Sequence, residues 1–168
     1  SEEVAQQIKL GPGGIRDVEF TVQLLQLVHG LSDEAIRQRG TLAAIDALVA
    51  EGYIGRTDAA AFARDYRLLR LLEHRLQLRR LSRTHLMPTD PDELRVLARA
   101  SGLADTGADL IAQWEAIKRE VRDIHVRLFY RPLLSAVAAL PAEERALSED
   151  QAHDRLAAIG FLDPPGAL

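Results

Sequence analysis

The sequence predicts an all-α protein: a helical bundle built on one long central helix, with a single leftover strand at its N-terminus. Three observations carry this prediction. Leu, Ala and Arg dominate a chain of 168 residues that is 47% hydrophobic but only 5% aromatic, and β-branched residues are sparse, a balance that favours helices over strands. Apolar residues recur at spacings of three and four along most of the chain. Capping residues and glycine stops bracket those periodic segments.

Residues 4–10 read as the last strand of an upstream sheet, ended by Gly11 and Pro12. From Ile15 the positions Ile15, Val18, Val22 and Leu25 form one helical face, and Gly30 is a natural stop. Ser32 predicts the cap of a short helix through Arg37, with Asp33 and Glu34 in its first turn. A helix over about Thr41 to Ala50 ends at Gly52. The long element runs from Asp58 to about Ser82, capped by Thr57. Its stripe is Phe62, Tyr66, Leu69, Leu72 and Leu76, and Leu68, Leu71, Leu78 and Leu81 widen it enough to touch several neighbours. Asp90 as N-cap, Pro91 at the first helical position and Glu93 two residues later open a helix that ends near Gly102. The next starts near Thr106, and its residues Leu110, Trp114, Ile117, Val121, Ile124 and Leu128 form a heptad seam. Pro132 is expected to kink it before it continues toward Leu140. Ser148-Glu-Asp-Gln151 predicts one further capped helix ending at Gly160, and Asp163-Pro-Pro-Gly-Ala-Leu168 reads as a linker cut short.

Composition narrows the function. The chain is 27% charged with a formal net charge of −4, which suits a folded globular protein and lacks the basic footprint of bulk nucleic-acid binding. It contains no cysteine, so disulfides and thiolate metal sites are excluded, as suits a cytoplasmic protein. No run of about 18 apolar residues predicts a membrane span. The Ser-Glu-Glu start is not a natural initiation site and suggests a piece of a longer chain.

The richest chemistry lies in residues 11–20. Gly11, Gly13, Gly14 and Pro12 make a turn in which backbone can approach a partner closely. It opens into Arg16, Asp17 and Glu19, at a helix start where a phosphate or metal ion could be met. The same acids also offset the helix dipole. If the helix begins near Ile15, Asp17 and Glu19 lie about 200° apart and cannot share a metal; an extended backbone would put them on one side. The pair Asp90-Pro91-Asp92 is explained by capping. His29, His74, His85, His125 and His153 show no metal-ligand spacing. The arginines between Arg64 and Arg83 are balanced by acids elsewhere and read as a solvated face.

The stretch Lys9-Leu-Gly-Pro-Gly-Gly-Ile-Arg-Asp-Val-Glu-Phe20 resembles the junction motif of the glutamine synthetase adenylyltransferases. Leu72-Glu-His-Arg-Leu-Gln-Leu78 and Arg83-Thr-His-Leu-Met-Pro88 fit the same family, in the same order. A looser Gly-Gly-Leu-Arg-Asp version occurs in the uridylyltransferases that modify the PII signal protein. The resemblance implies a bifunctional, cytoplasmic enzyme of nitrogen regulation with two nucleotidyltransferase modules, each followed by a helical domain. One adenylylates glutamine synthetase with ATP; the other removes AMP with phosphate, giving ADP. Arg16 and Gln26-Leu-Val-His-Gly30 look more like the deadenylylating half.

On this resemblance residues 1–14 end the upstream nucleotidyltransferase module, 15–140 form the helical bundle domain, and 141–168 supply an additional helix and truncated linker. Asp17 and Glu19 become candidates for a catalytic, Mg2+-ligating carboxylate, and Lys9, Gly13, Gly14 and Arg16 for phosphate or nucleotide contact. Glu73, Arg75 and Gln77 become a polar surface that docks the transferase module; an internal network such as Glu73 with Gln77 explains the same residues. The implied partners are glutamine synthetase, the PII protein and the upstream module, with no nucleic acid and no membrane. The family's Gly-Ser and Asp-x-Asp elements are missing from this chain, so it is expected to be inactive alone. A non-catalytic helical interaction module and the helical domain of a PII uridylyltransferase are the alternative readings.

Overall fold

The computed structural model describes residues 6–80 and 85–138, with side chains described for 6–78 and 85–130. Five α-helices follow in order: α1 Ile15–His29, α2 Thr41–Ala50, α3 Arg56–Arg80, α4 Pro91–Ser101 and α5 Gly107–Ala138. The all-α prediction is met. The chain divides into two compact units, Ser1–Leu128 and Phe129–Leu168. In the second, the Phe129 and Tyr130 rings meet edge to face at 5.1 Å.

In the first unit the central helix is α3, which packs against α1, α2 and α4. Its Phe62, Leu69, Leu72 and Leu76 are buried among Ile15, Val18, Val22 and Leu25 of α1, Ile45 and Leu48 of α2, and Leu97 of α4. Each such side chain contributes about 1.5–3 kcal/mol by leaving water. The expected seam of α5 is also buried, through Leu110, Trp114, Ile117, Val121 and Ile124. Its periodicity is local, so the sequence displays it directly.

Caps account for most boundaries. Asp90 Oδ1 accepts from the backbone N–H of Asp92 at 3.0 Å and of Glu93 at 2.9 Å, and Gly102 closes α4 with φ +68°. Thr106 Oγ1 accepts from Asp109 N–H at 3.1 Å at the start of α5. The α3 helix starts at Arg56, with Gly55 C=O accepting from Ala59 N–H at 3.0 Å, so Thr57 lies inside the first turn and is not its cap. The α5 helix runs through Pro132. The predicted end of the long helix at Ser82 and the capped helix at 148–160 lie outside the described residues.

Two expectations are corrected. No helix forms over 32–37. The Ser32 hydroxyl donates to His29 C=O, and Asp33 Oδ1 accepts from Ala35 N–H. The carbonyls of Ile36 and Gln38 are taken by the Gln26 side-chain amide at 2.7 and 2.8 Å. A segment this short closes too few i→i−4 bonds to repay helix nucleation. The second correction is the N-terminal strand: among the described residues 6–10 only an isolated antiparallel bridge forms, Gln7 with Leu86. The carbonyls of Gln7, Ile8 and Lys9 turn back to accept from Gly11, Ile15 and Arg16 N–H at 3.1 Å each, leaving no ladder to extend.

Candidate functional site

The glycine turn is locked in place by its own backbone. Gly13 has φ +74°, a conformation that glycine adopts without strain. A β-carbon on Gly13 would stand 2.1 Å from the Lys118 carbonyl oxygen of α5. One on Gly14 would stand 2.6 Å from that of Ile8. The turn therefore packs backbone to backbone against α5, and only glycine fits.

The start of α1 would ordinarily leave N–H groups free to bind an anion. Here they are engaged. Gly14 donates to Gly11 C=O, Ile15 to Ile8 C=O, Arg16 to Lys9 C=O and Asp17 to Gly14 C=O, all at 2.9–3.1 Å, and Gly13 N–H donates to Asp17 Oδ2 at 2.8 Å. Gly13 and Gly14 thus hold the turn's shape, and the groups left to meet a phosphate are the side chains of exposed Arg16 and half-buried Lys9.

Asp17 and Glu19 both lie in helical backbone and diverge. Asp17 Oδ2 has the Gly13 amide and, at 3.6 Å, the Arg122 guanidinium. Glu19 Oε1 instead accepts from the Tyr66 hydroxyl at 3.0 Å, tying α1 to α3. Burial pushes the Tyr66 hydroxyl pKa up, and its bond to Glu19 adds to that rise. Beneath Asp17, buried Thr21 Oγ1 donates to the Asp17 carbonyl at 2.7 Å and lies 2.6 Å from His125 Nδ1. A hydroxyl has one proton, so with Thr21 donating to the carbonyl it is His125 Nδ1–H that donates to Thr21. Burial pushes the His125 pKa down, favouring the neutral ring.

Glu73, Arg75 and Gln77 do not form one polar surface. Arg75 is exposed and Gln77 half-buried, whereas Glu73 is buried, its carboxylate bonded by Arg70 at 2.9 Å and approached to 3.0 Å by His85 Nδ1, which is not aligned for a hydrogen bond. The expected Glu73–Gln77 pairing is replaced by these two. His85 belongs to the segment whose backbone pairs with residues 6–8: Ile8 N–H donates to His85 C=O at 2.8 Å and Met87 N–H to Gln6 C=O at 2.9 Å. The three sequence motifs therefore meet, the glycine turn through residues 6–8, the central helix through Glu73, and the third motif through His85.

Divalent metal chemistry needs several converging donors. Among the described residues no group of three His, Asp or Glu side chains could hold a metal ion. The described residues do not by themselves fit a complete metal site. Also among the described residues, no helix is long and apolar enough to cross a membrane.

Sequence reasoning missed Asp65. It is fully buried in α3, although the arginine-rich stretch around it reads as a solvated face. The signal was present: Phe62, Asp65, Leu69, Leu72 and Leu76 are spaced three, four, three, four, which puts an acid in the core register.

Comparison with known proteins places these motifs in context. A family model described as GlnD PII-uridylyltransferase matches residues 1–129. A bifunctional glutamine synthetase adenylyltransferase/adenylyl-removing enzyme from Leifsonia xyli is 65% identical over 168 residues, covering 96% of this chain and 17% of the relative. That of Streptomyces coelicolor is 54% identical over 167 residues, covering 99% and 17%. That of Corynebacterium glutamicum is 48% identical over 171 residues, covering 96% and 16%. The chain spans about a sixth of the length of these relatives.

Proposed function

Because the chain belongs to the family described as GlnD PII-uridylyltransferase and is homologous along nearly all its length to bifunctional glutamine synthetase adenylyltransferase/adenylyl-removing enzymes, we propose that it is a helical domain of such a bifunctional enzyme. In this reading it follows the deadenylylating nucleotidyltransferase module and forms one wall of that module's site. Residues 1–14 are the junction, 15–140 the helical bundle domain and 141–168 an additional helix with linker.

The observation that carries the reading is the treatment of Asp17. Its carboxylate is oriented by the Gly13 amide, sits beside Arg122, and keeps 22% of its side-chain surface open to solvent. An acid fixed at a rigid turn yet open on one side is suited to act on a group brought by another module. Asp17 is accordingly the carboxylate this domain contributes, and Arg16 and Lys9 are its phosphate contacts, Arg16 in bidentate fashion. Glu19, held by Tyr66, fixes the angle between α1 and α3. The metal-binding acids, Mg2+, ATP, ADP and phosphate, and the partners glutamine synthetase and PII, belong in this reading to the longer polypeptide. The domain alone is inactive and the whole acts in the cytoplasm.

The test uses a longer polypeptide that includes the upstream module, assayed for phosphate-dependent removal of AMP from adenylylated glutamine synthetase. Asp17→Asn is expected to lower the rate at least tenfold and Glu19→Gln to change it less than threefold. An active polypeptide indifferent to Asp17→Asn would overturn the role given to that residue.

A second reading is a non-catalytic helical module that joins and orients other domains. It is favoured by one observation: every backbone N–H from Gly13 to Asp17 is engaged within the turn, so the glycines serve packing. Retained phosphorolysis with both acids neutralised would select it.

A further inference from the structure

The α3–α5 seam contains a second polar constellation, remote in role from Asp17. Asp65 is fully buried, and its Oδ2 atom has no hydrogen-bond partner. Its Oδ1 atom meets Arg64 Nε at 2.9 Å. The same guanidinium reaches across to α5, where Nη2 pairs with Glu120 Oε2. The charged groups that act on the Asp65 pKa are Arg64, which lowers it, and Glu120, which raises it. Farther along the seam Asp58 pairs with Arg127 at 2.7 Å, and Arg119, Glu120 and Asp123 line the groove between the helices. One guanidinium thus serves two carboxyl groups, one of them buried. A buried anion with an unsatisfied oxygen costs more than a neutral carboxyl in the same place.

We propose that Asp65, Arg64 and Glu120 form a single-proton latch between α3 and α5, closed when the acid pair holds one proton and loosened when it holds none. The proposal does not depend on the nucleotidyl-transfer reading. Burial, opposed in part by Arg64, pushes the Asp65 pKa up from 3.8 to about 6. A carboxyl whose folded-state pKa is raised contributes stability that is full below the unfolded value of 3.8. That stability is lost as pH rises through about 6 and changes no further above it.

The test is the thermal midpoint of the 168-residue chain at pH 5.0 and 7.5, for the wild type, Asp65→Asn and Glu120→Gln. The wild-type midpoint is expected to fall by about 3–5 °C more than that of Asp65→Asn over this interval. An equal fall in both overturns the latch. Should Asp65→Asn not fold, the wild-type Asp65 carboxyl carbon is titrated by NMR: a midpoint above about 5 supports the latch and one at or below it overturns the latch. Over the same pH interval the Glu120→Gln thermal midpoint is expected to fall less than that of the wild type, because the Glu120 carboxylate raises the Asp65 pKa, and a fall equal to the wild type's overturns the part given to Glu120.

Discussion

The backbone N–H of Gly13 donates to Oδ2 of Asp17 across four residues at 2.8 Å, so the acid nearest the glycine turn is also its clasp. The structural duty of Asp17 is therefore superimposed on the catalytic one proposed for it, but the two separate by substitution. Asn keeps an oxygen that can accept from Gly13, whereas Ala does not. Asp17→Ala is expected to destabilise the chain by about 1 kcal/mol and Asp17→Asn by about 0.5 kcal/mol or less, as for a lost or retained cap. Urea unfolding measures both. Equal losses would show that Asp17 acts on the turn through its charge.

Gly13 and Gly52 provide a matched pair. Both have positive φ, +74° and +79°, but a β-carbon on Gly52 meets nothing within 4 Å while one on Gly13 runs into the Lys118 backbone. Gly52→Ala is expected to cost about 1–2 kcal/mol, the left-handed penalty alone. Gly13→Ala adds an overlap that only displacement of α5 can relieve, and is expected to cost at least about 3 kcal/mol, in the range of strongly disruptive substitutions. Comparable midpoints for the two variants in urea would contradict the close approach.

How much of this was legible in the sequence follows from the range of the forces involved. The stripes of α1 and α5 and the Asp90 cap are set by neighbours three and four residues away, and the sequence displays them. Ser32 looked like a cap because its own neighbourhood permits one. The segment is too short to repay nucleation, and what fixes its path is the Gln26 amide, which bonds the carbonyls of Ile36 and Gln38 from ten and twelve residues upstream. Glu73 invites pairing with Gln77 by the same local rule, but a partner twelve residues on, His85, shares it with Arg70. For the candidate site, the glycines and acids were visible. That the turn's amides are already engaged, and that Asp17 and Glu19 face different helices, needed the tertiary structure.

Thr21 links the start of α1 to the middle of α5. Its side chain is wholly buried between the Asp17 carbonyl and His125 Nδ1. Thr21→Val preserves shape but removes both contacts, leaving the His125 N–H without this partner. The expected cost is about 1–3 kcal/mol. Thr21→Ser retains the hydroxyl and loses a methyl group, so about 1 kcal/mol is expected. If Val is tolerated as well as Ser in thermal unfolding, the Thr21–His125 bond contributes nothing net.

Glu73 lies where the three motifs meet, and its two partners differ in kind. Arg70 is on the same helix one turn away and half exposed, so water screens much of that pair. His85 comes from the segment that pairs with residues 6–8 and reaches the opposite carboxylate oxygen. Removing Glu73 should therefore loosen the attachment of the 85–87 segment more than it disturbs α3. Glu73→Gln is expected to destabilise the chain by about 1–2 kcal/mol, since a neutral amide loses the charge-assisted contacts but keeps the shape. Amide exchange distinguishes the routes. Protection at Ile8 and Met87, whose N–H groups cross between the segments, is expected to fall at least tenfold. Protection at Leu72 and Leu76 of α3 should fall only as far as global stability does. A uniform loss at all four amides would show that Glu73 supports the core as a whole and does not fasten these two segments together.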